Sequence, residues 1–132
     1  MKTKSERKII STESAPKAIG PYAQAVSFGD LLFVSGMIPI DPKTGELLTG
    51  DFEAEVTLVL ENLEAVVEAA GMSLNNVLKV SVFLKDLGLF GTFNEIYARY
   101  FGDVLPARET IQVARLPRDA SIEISVICGA HA

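Results

Sequence analysis

The chain has 132 residues, 48% of them hydrophobic, enough for the core of one globular domain spanning residues 1–132. Charged residues make up 22% and the formal net charge is −5, which argues against a nucleic-acid partner, because such partners demand a basic face. The single cysteine leaves no internal disulfide and suits a reducing compartment, and no apolar run is long enough for a membrane span, so the cytoplasm is expected and no membrane partner.

In chain order, residues 1–8 are charged and poor in apolar side chains, too polar for a secretory signal and expected to form a flexible tail. Ile9 and Ile10 begin a short edge strand. Residues 14–20 form a loop punctuated by Pro16 and Gly20, with Pro21 following. Residues 22–27 and 31–38 read as strands around Phe28-Gly29-Asp30, a hairpin signal. Pro39 stops the second of them, and Asp41-Pro42-Lys43-Thr44-Gly45 is rich in turn formers. Residues 51–70 carry the clearest helical pattern. Phe52, Val56, Val59, Leu60, Leu63, Val66, Val67 and Ala70 make one apolar stripe. Asp51, Glu53 and Glu55 suit the positive end of the helix dipole, and Gly71 supplies the stop. Residues 77–84 alternate as a strand, with Leu78, Val80, Val82 and Leu84 on one face and Val77, Lys79, Ser81 and Phe83 on the other. A second helix is expected over about residues 87–101, with Phe90, Phe93, Tyr97 and Phe101 on its inner side and Gly102 as its end.

Two central strands are expected to follow. Pro106 biases Leu105 away from helix and sets the angle of entry. Arg108 stands at the mouth of a strand over residues 110–113, with Ile111 and Val113 on one side and Thr110 and Gln112 on the other. Leu116-Pro117-Arg118-Asp119 carries turn chemistry. Ile122, Ile124, Val126 and Cys128 then alternate with Glu123, Ser125 and Ile127, the signature of a strand with two different faces. A carboxylate in so apolar a strand either faces water on an open sheet face or lines a site with Arg108. The residues by themselves leave both readings open.

The order β-β-α-β-α-β-β predicts an α+β fold, a single mixed sheet with two helices packed on one face. The other face would carry Phe33, Ser35, Met37, Ser81, Phe83, Glu123, Ser125 and Ile127. That mixture is too apolar to stay wet and too polar for a sealed core, which suggests an oligomer interface containing polar cavities.

Several chemistries drop out on composition. His131 is the only histidine, so a Ser-His-Asp or Cys-His set cannot form in one chain, nor can a zinc site of the usual kind. Gly45 and Gly50 have phosphate-loop spacing, but Asp51 follows where a lysine must stand. Cys128 reads as a small core residue rather than a reactive thiol. Arg108, Glu123, Tyr22, Ser35 and Asn94 remain. An arginine grips a carboxylate with a planar fork, and a glutamate can position or deprotonate a water. Taken singly, each favours an ordinary reading: Tyr22 a core aromatic with its hydroxyl at the surface, Ser35 a small strand residue ahead of Gly36, and Asn94 a polar position on the outer side of a helix.

Ala18-Ile19-Gly20-Pro21-Tyr22, Val34-Ser35-Gly36-Met37-Ile38-Pro39-Ile40-Asp41-Pro42, Val82-Phe83-Leu84-Lys85-Asp86-Leu87, Pro106-Ala107-Arg108 and Val113-Ala114-Arg115-Leu116-Pro117 leading to Ile122-Glu123-Ile124 occur in this order and spacing. Carried by these blocks, the chain resembles the RidA/YjgF family of reactive-intermediate (enamine/imine) deaminases almost end to end. The resemblance implies a chorismate-mutase-like fold assembled as a homotrimer with sites between subunits. It implies hydrolytic deamination of 2-aminoacrylate and related enamines and imines, of the 2-iminobutanoate/2-iminopropanoate deaminase type, with no metal and no cofactor in the deaminase itself. By position, Arg108 matches the family's carboxylate-binding arginine and Glu123 its water-associated glutamate, while Tyr22, Ser35, Asn94 and Thr110 match positions lining the same cleft. The chain departs from the family pattern at Glu109, where a small residue is common, at Thr110, where cysteine is frequent, and at Met37, where glutamine is frequent. Glu109 is expected to alternate to the face opposite Arg108. The alternative from another class is a non-catalytic trimer that binds a small carboxylate and regulates or protects a partner. A ribonuclease reading, also attached to the family, is disfavoured by the acidic charge and the absent histidine pair.

Overall fold

A computed structural model describes residues 5–131. Six strands form one sheet: β1 (Arg7–Ile10), β2 (Ala25–Phe28), β3 (Leu31–Met37), β4 (Val77–Leu84), β5 (Ala107–Gln112) and β6 (Ile122–Gly129), in the order β1-β2-β3-β6-β4-β5. All neighbours are antiparallel except β4 and β5, so the sheet is mixed. The expected edge strand at Ile9 and Ile10 is present and starts at Arg7, inside the stretch read as a loose tail; residues 1–4 of that stretch lie outside the described residues. Gly29 and Asp30 make the two-residue link between β2 and β3, with Gly29 at a φ of 59°, where a side chain would be strained.

One expectation is corrected here. β5 and β6 do not form a central pair. β6 is central, and β5 lies at the sheet edge with β4 between the two. A parallel partner needs a crossover, and the helix between β4 and β5 supplies one. Alternation within each strand carries no information about which strand becomes its neighbour.

The helix α1 (Phe52–Ala69) follows the predicted stripe. Val56, Val59, Leu60, Leu63, Val66 and Val67 are all buried, each contributing about 1.5–3 kcal/mol of hydrophobic stabilisation before conformational entropy is counted. Asp51 caps the helix, its side chain accepting from the Ala54 N–H at 3.2 Å. The stripe also buries two polar residues that periodicity did not flag. Glu55 accepts from the Asp51 N–H at 2.8 Å and from the Ser121 hydroxyl at 2.7 Å, and Asn62 donates to the Ile40 carbonyl at 2.9 Å. The helix α2 (Phe90–Phe101) begins three residues later than predicted, because Asp86 caps a separate short 3-10 turn over Leu87–Leu89. Phe93, Ile96, Tyr97 and Phe101 form its buried side. Both helices pack on the sheet face that carries Leu32, Val34, Val80, Val82, Ile122 and Ile124.

The other face is uncovered, with Phe28 at 51%, Phe33 at 44% and Ile111 at 46% exposure. Two register shifts change the predicted parity. Between Val34 and Met37 the pairing with β6 slips, so Met37 stands opposite Ile124 and joins the helix-side core rather than the open face. Between Val77 and Lys79 a second slip buries Val77 and exposes Leu78, the reverse of simple alternation. Among the described residues, no helix is long and apolar enough to cross a membrane.

Candidate active site

Glu123 stands in the middle of the chain's most apolar strand, on the helix-free face, because Ile122 and Ile124 on either side turn into the core. Its carboxylate lies at the foot of a cleft of about 270 Å³, at the small end of ligand cavities. Tyr22, Ser35, Gly36, Met37 and Pro117 share that cleft, and Glu123 is the only acid lining it. The Glu123 carboxylate packs directly against Gly36, where an added Cβ would fall 2.5 Å from one of its oxygens. Burial in these apolar surroundings pushes the Glu123 carboxyl above its ordinary 4.5. The result is an acid poised nearer neutrality that forms no ion pair among the described residues, although Lys17 and Arg118 line the same cleft.

The cleft walls are held by hydrogen bonds rather than by regular structure. Gln24 is buried; its amide donates to the Thr12 and Pro16 carbonyls at 3.0 and 2.7 Å and its oxygen accepts from the Thr12 N–H at 2.7 Å, stapling the loop that carries Lys17, Ala18 and Ile19. The Ser35 hydroxyl donates to the Ala23 carbonyl at 2.6 Å, so its proton is committed and its oxygen is left to accept. Tyr22 is half exposed, and its hydroxyl accepts from the Ile19 N–H at 3.3 Å.

Arg108 lies elsewhere. It is paired in register with Val80, so its side chain turns to the helix face of the edge strand. There the guanidinium carbon sits 4.6 Å from the Tyr97 ring centre, 5.5 Å from Phe93 and 5.6 Å from Phe90. Asn94 lines the same hollow. Among the described residues Arg108 makes no ion pair. Two buried hydroxyls in this region lack hydrogen-bond partners, those of Tyr97 and Thr110. Burial raises the Tyr97 phenol's pKa, against the opposing pull of the Arg108 charge and of the guanidinium's close approach to the hydroxyl, a contact that falls short of good hydrogen-bond geometry. Glu109 alternates away to the open face as expected. A hydrogen bond from Ser81 at 3.0 Å, together with Lys79 at 3.3 Å, holds its carboxyl below the usual range and keeps it off Arg108.

The sequence-derived candidates therefore fall into two groups. Tyr22, Ser35 and Glu123 share one cleft; Arg108 and Asn94 share a second, and Thr110 lies on the same face of β5 as Arg108. Within one chain the two groups are on opposite faces of the sheet. Gln24, Gly36, Tyr97 and Arg118 were not singled out from the sequence. Gly36 follows Ser35 inside a strand, which was the available signal for a close approach. Cys128 is buried in the core, with its thiol pushed up to about 11, unsuited to nucleophilic work. Among the described residues no three His, Cys, Asp or Glu side chains gather as a metal-binding group.

A mixed six-stranded sheet with two helices on one face, a solitary acid in a largely apolar cleft and an arginine on an aromatic platform define a small α+β protein with two candidate half-sites. Comparison with known proteins places it further. The family described as Endoribonuclease L-PSP, which comprises the RidA/YjgF proteins, matches residues 12–129. A RutC family protein of Pyrococcus horikoshii is 54% identical over 92% of this chain and 96% of its own length. The protein named "Putative reactive intermediate deaminase TdcF" of Escherichia coli K12 is 46% identical over 92% of this chain and 95% of its own. The crystal structure of E. coli TdcF with bound serine superposes with a TM-score of 0.89 at 45% identity, covering 94% of this chain and 99% of that one. The chain belongs to the RidA/YjgF family.

Proposed function

We propose that this protein deaminates reactive enamines and imines of amino acids, 2-aminoacrylate among them, to 2-keto acids and ammonia. The observation that carries the reading is the Glu123 carboxylate, raised in pKa by burial and the sole acid of a small, largely apolar cleft beside Tyr22 and Ser35. An imine is already electrophilic at C2, so the reaction requires a positioned water and a proton acceptor rather than a strong nucleophile. The name carried by TdcF and the serine bound in its structure support a small amino-acid-derived ligand.

In this mechanism Arg108 anchors the substrate carboxylate through its fork, with its guanidinium oriented by the Phe90, Phe93 and Tyr97 rings. The enamine tautomerises to the imine. Glu123 takes a proton from a water as its oxygen adds to C2, then returns the proton to the amine of the tetrahedral carbinolamine. The C–N bond then breaks as the Glu123 carboxylate takes the proton of the new hydroxyl, leaving the C=O of the 2-keto acid and ammonia. Since Arg108 and Glu123 occupy opposite sheet faces, a site using both joins the Glu123 cleft of one chain to the Arg108 hollow of a neighbour. The uncovered apolar face supports such an assembly, a homotrimer with its sites between subunits.

The test couples an amino-acid oxidase, which releases imino acids in situ, to the protein and follows keto-acid formation against the spontaneous rate. Acceleration by the wild type that vanishes in Arg108→Ala is the expected result. A well-folded oligomer that accelerates no substrate would overturn the enzymatic reading and leave a small-carboxylate-binding protein in its place.

A further inference from the structure

The cleft at Glu123 continues past Arg118 into a second groove beside the turn at residues 41–45. Arg118 and Lys17 line both stretches, and Lys43 lines the second. Three cations around one groove are out of character for a chain of net charge −5. The acid in that second stretch, Asp41, is occupied by its own turn, accepting from the Lys43 N–H at 2.8 Å and the Thr44 N–H at 3.4 Å. Arg118 is held in place rather than merely present. It and Asp119 adopt φ values of 56° and 58°, two consecutive side-chain-bearing residues in the left-handed region. That conformation is secured by the Asp119–Lys85 ion pair at 2.8 Å, by the Lys85 N–H on the Ser121 carbonyl at 3.0 Å, and by the Ser121 hydroxyl on buried Glu55. One Arg118 nitrogen donates to the Gly45 carbonyl at 3.1 Å, which orients the guanidinium and leaves its other donors for a ligand. Among the described residues Arg118 and Glu123 line the same cleft without forming an ion pair.

We propose that this groove is a side-chain subsite for an anion and that Arg118 is its specificity-determining residue, so that the preferred substrates are imino acids whose side chains end in a carboxylate. The inference rests on the deaminase reading of the Glu123 cleft. The α-carboxylate stays with Arg108, C2 lies over Glu123, and the distal carboxylate reaches the Arg118 fork.

The test generates imines from glutamate and from leucine with appropriate oxidases and compares wild type, Arg118→Lys and Arg118→Asn. Asparagine removes the charge yet tolerates the left-handed backbone, and a melting curve verifies its fold. The glutamate-to-leucine ratio of kcat/KM is expected to fall at least about tenfold in Arg118→Asn and less in Arg118→Lys, which keeps a point charge without the fork. An unchanged ratio, whether both rates persist or fall together, would overturn the subsite. If the wild type accelerates neither imine, the deaminase reading fails and the subsite is judged by calorimetry with 2-oxoglutarate and 2-oxobutanoate. Tighter binding of the dicarboxylate that disappears in Arg118→Asn sustains the anion subsite; equal binding of the two acids overturns it.

Discussion

Glu123 is where function and stability pull against each other in a single side chain. Its charged form is disfavoured by burial, and its carboxylate packs where a side chain at Gly36 would collide with it. Removing the charge should therefore cost activity and gain stability. Glu123→Gln is expected to lose at least about a hundredfold in kcat in the oxidase-coupled assay, the scale of a lost general base. The folded-state pKa is raised above 4.5, so the native protein binds the proton more tightly than the unfolded chain does. The wild type is consequently penalised as pH rises through that raised value, and Glu123→Gln escapes the penalty. Its melting temperature should match the wild type's near pH 4 and exceed it by a few degrees at pH 8, measured by calorimetry. A variant that melts lower at pH 8 would show that the carboxylate is a stabilising group, contrary to its surroundings.

At the scale of elements, the pairing of α2 with β5 creates the Arg108 platform. Two turns of helix line up Phe93, Tyr97 and Phe101, and successive rings stack with centroids 5.4 and 4.8 Å apart. The edge strand then lays Arg108 across the Phe90, Phe93 and Tyr97 faces. A cation over a desolvated ring gains about 0.5–2 kcal/mol. Tyr97→Leu should accordingly raise KM about three- to tenfold with a smaller change in kcat, since the fork loses its orientation and not its charge. Tyr97→Phe keeps the ring under the guanidinium and should stay much nearer to wild type in KM than Tyr97→Leu. Equal KM values for the leucine and phenylalanine variants would mean that the rings only fill space.

For the whole molecule, the decisive feature is that the two halves of the proposed site, Arg108 and Glu123, face opposite ways across one sheet. Neither half needs the other to fold, which makes complementation possible. Arg108→Ala and Glu123→Gln should each be inactive alone. Unfolded together and refolded as mixed oligomers, they should recover about a quarter of the wild-type rate, because a quarter of random neighbour pairs unite an intact arginine with an intact glutamate. No recovery from mixed oligomers of native size would place both residues of each working site in one chain. The same assembly would cover Phe28, Phe33 and Ile111, so Phe33→Asp should yield smaller species in sedimentation.

Local pattern determined much of this protein. The α1 stripe, the alternation that puts Glu123 opposite a core face, the caps at Asp51 and the stop at Gly71 all follow from spacings of two to four residues. Arg108 and Glu123 drew notice as charged residues in or beside apolar strands, but that pattern left their roles open, and the family resemblance supplied the proposed ones. Tertiary structure alone decided that β4 separates β6 from β5, that two register slips turn Met37 inward and Leu78 outward, and that Arg108 and Glu123 part company across the sheet. It also decided the roles of Gln24, Gly36 and Arg118, whose partners lie up to 87 positions away in the chain. Periodicity reports which side of its own strand or helix a residue faces. Neighbours across the sheet are chosen by the competition among all strands for partners, and that competition leaves no mark within any one of them.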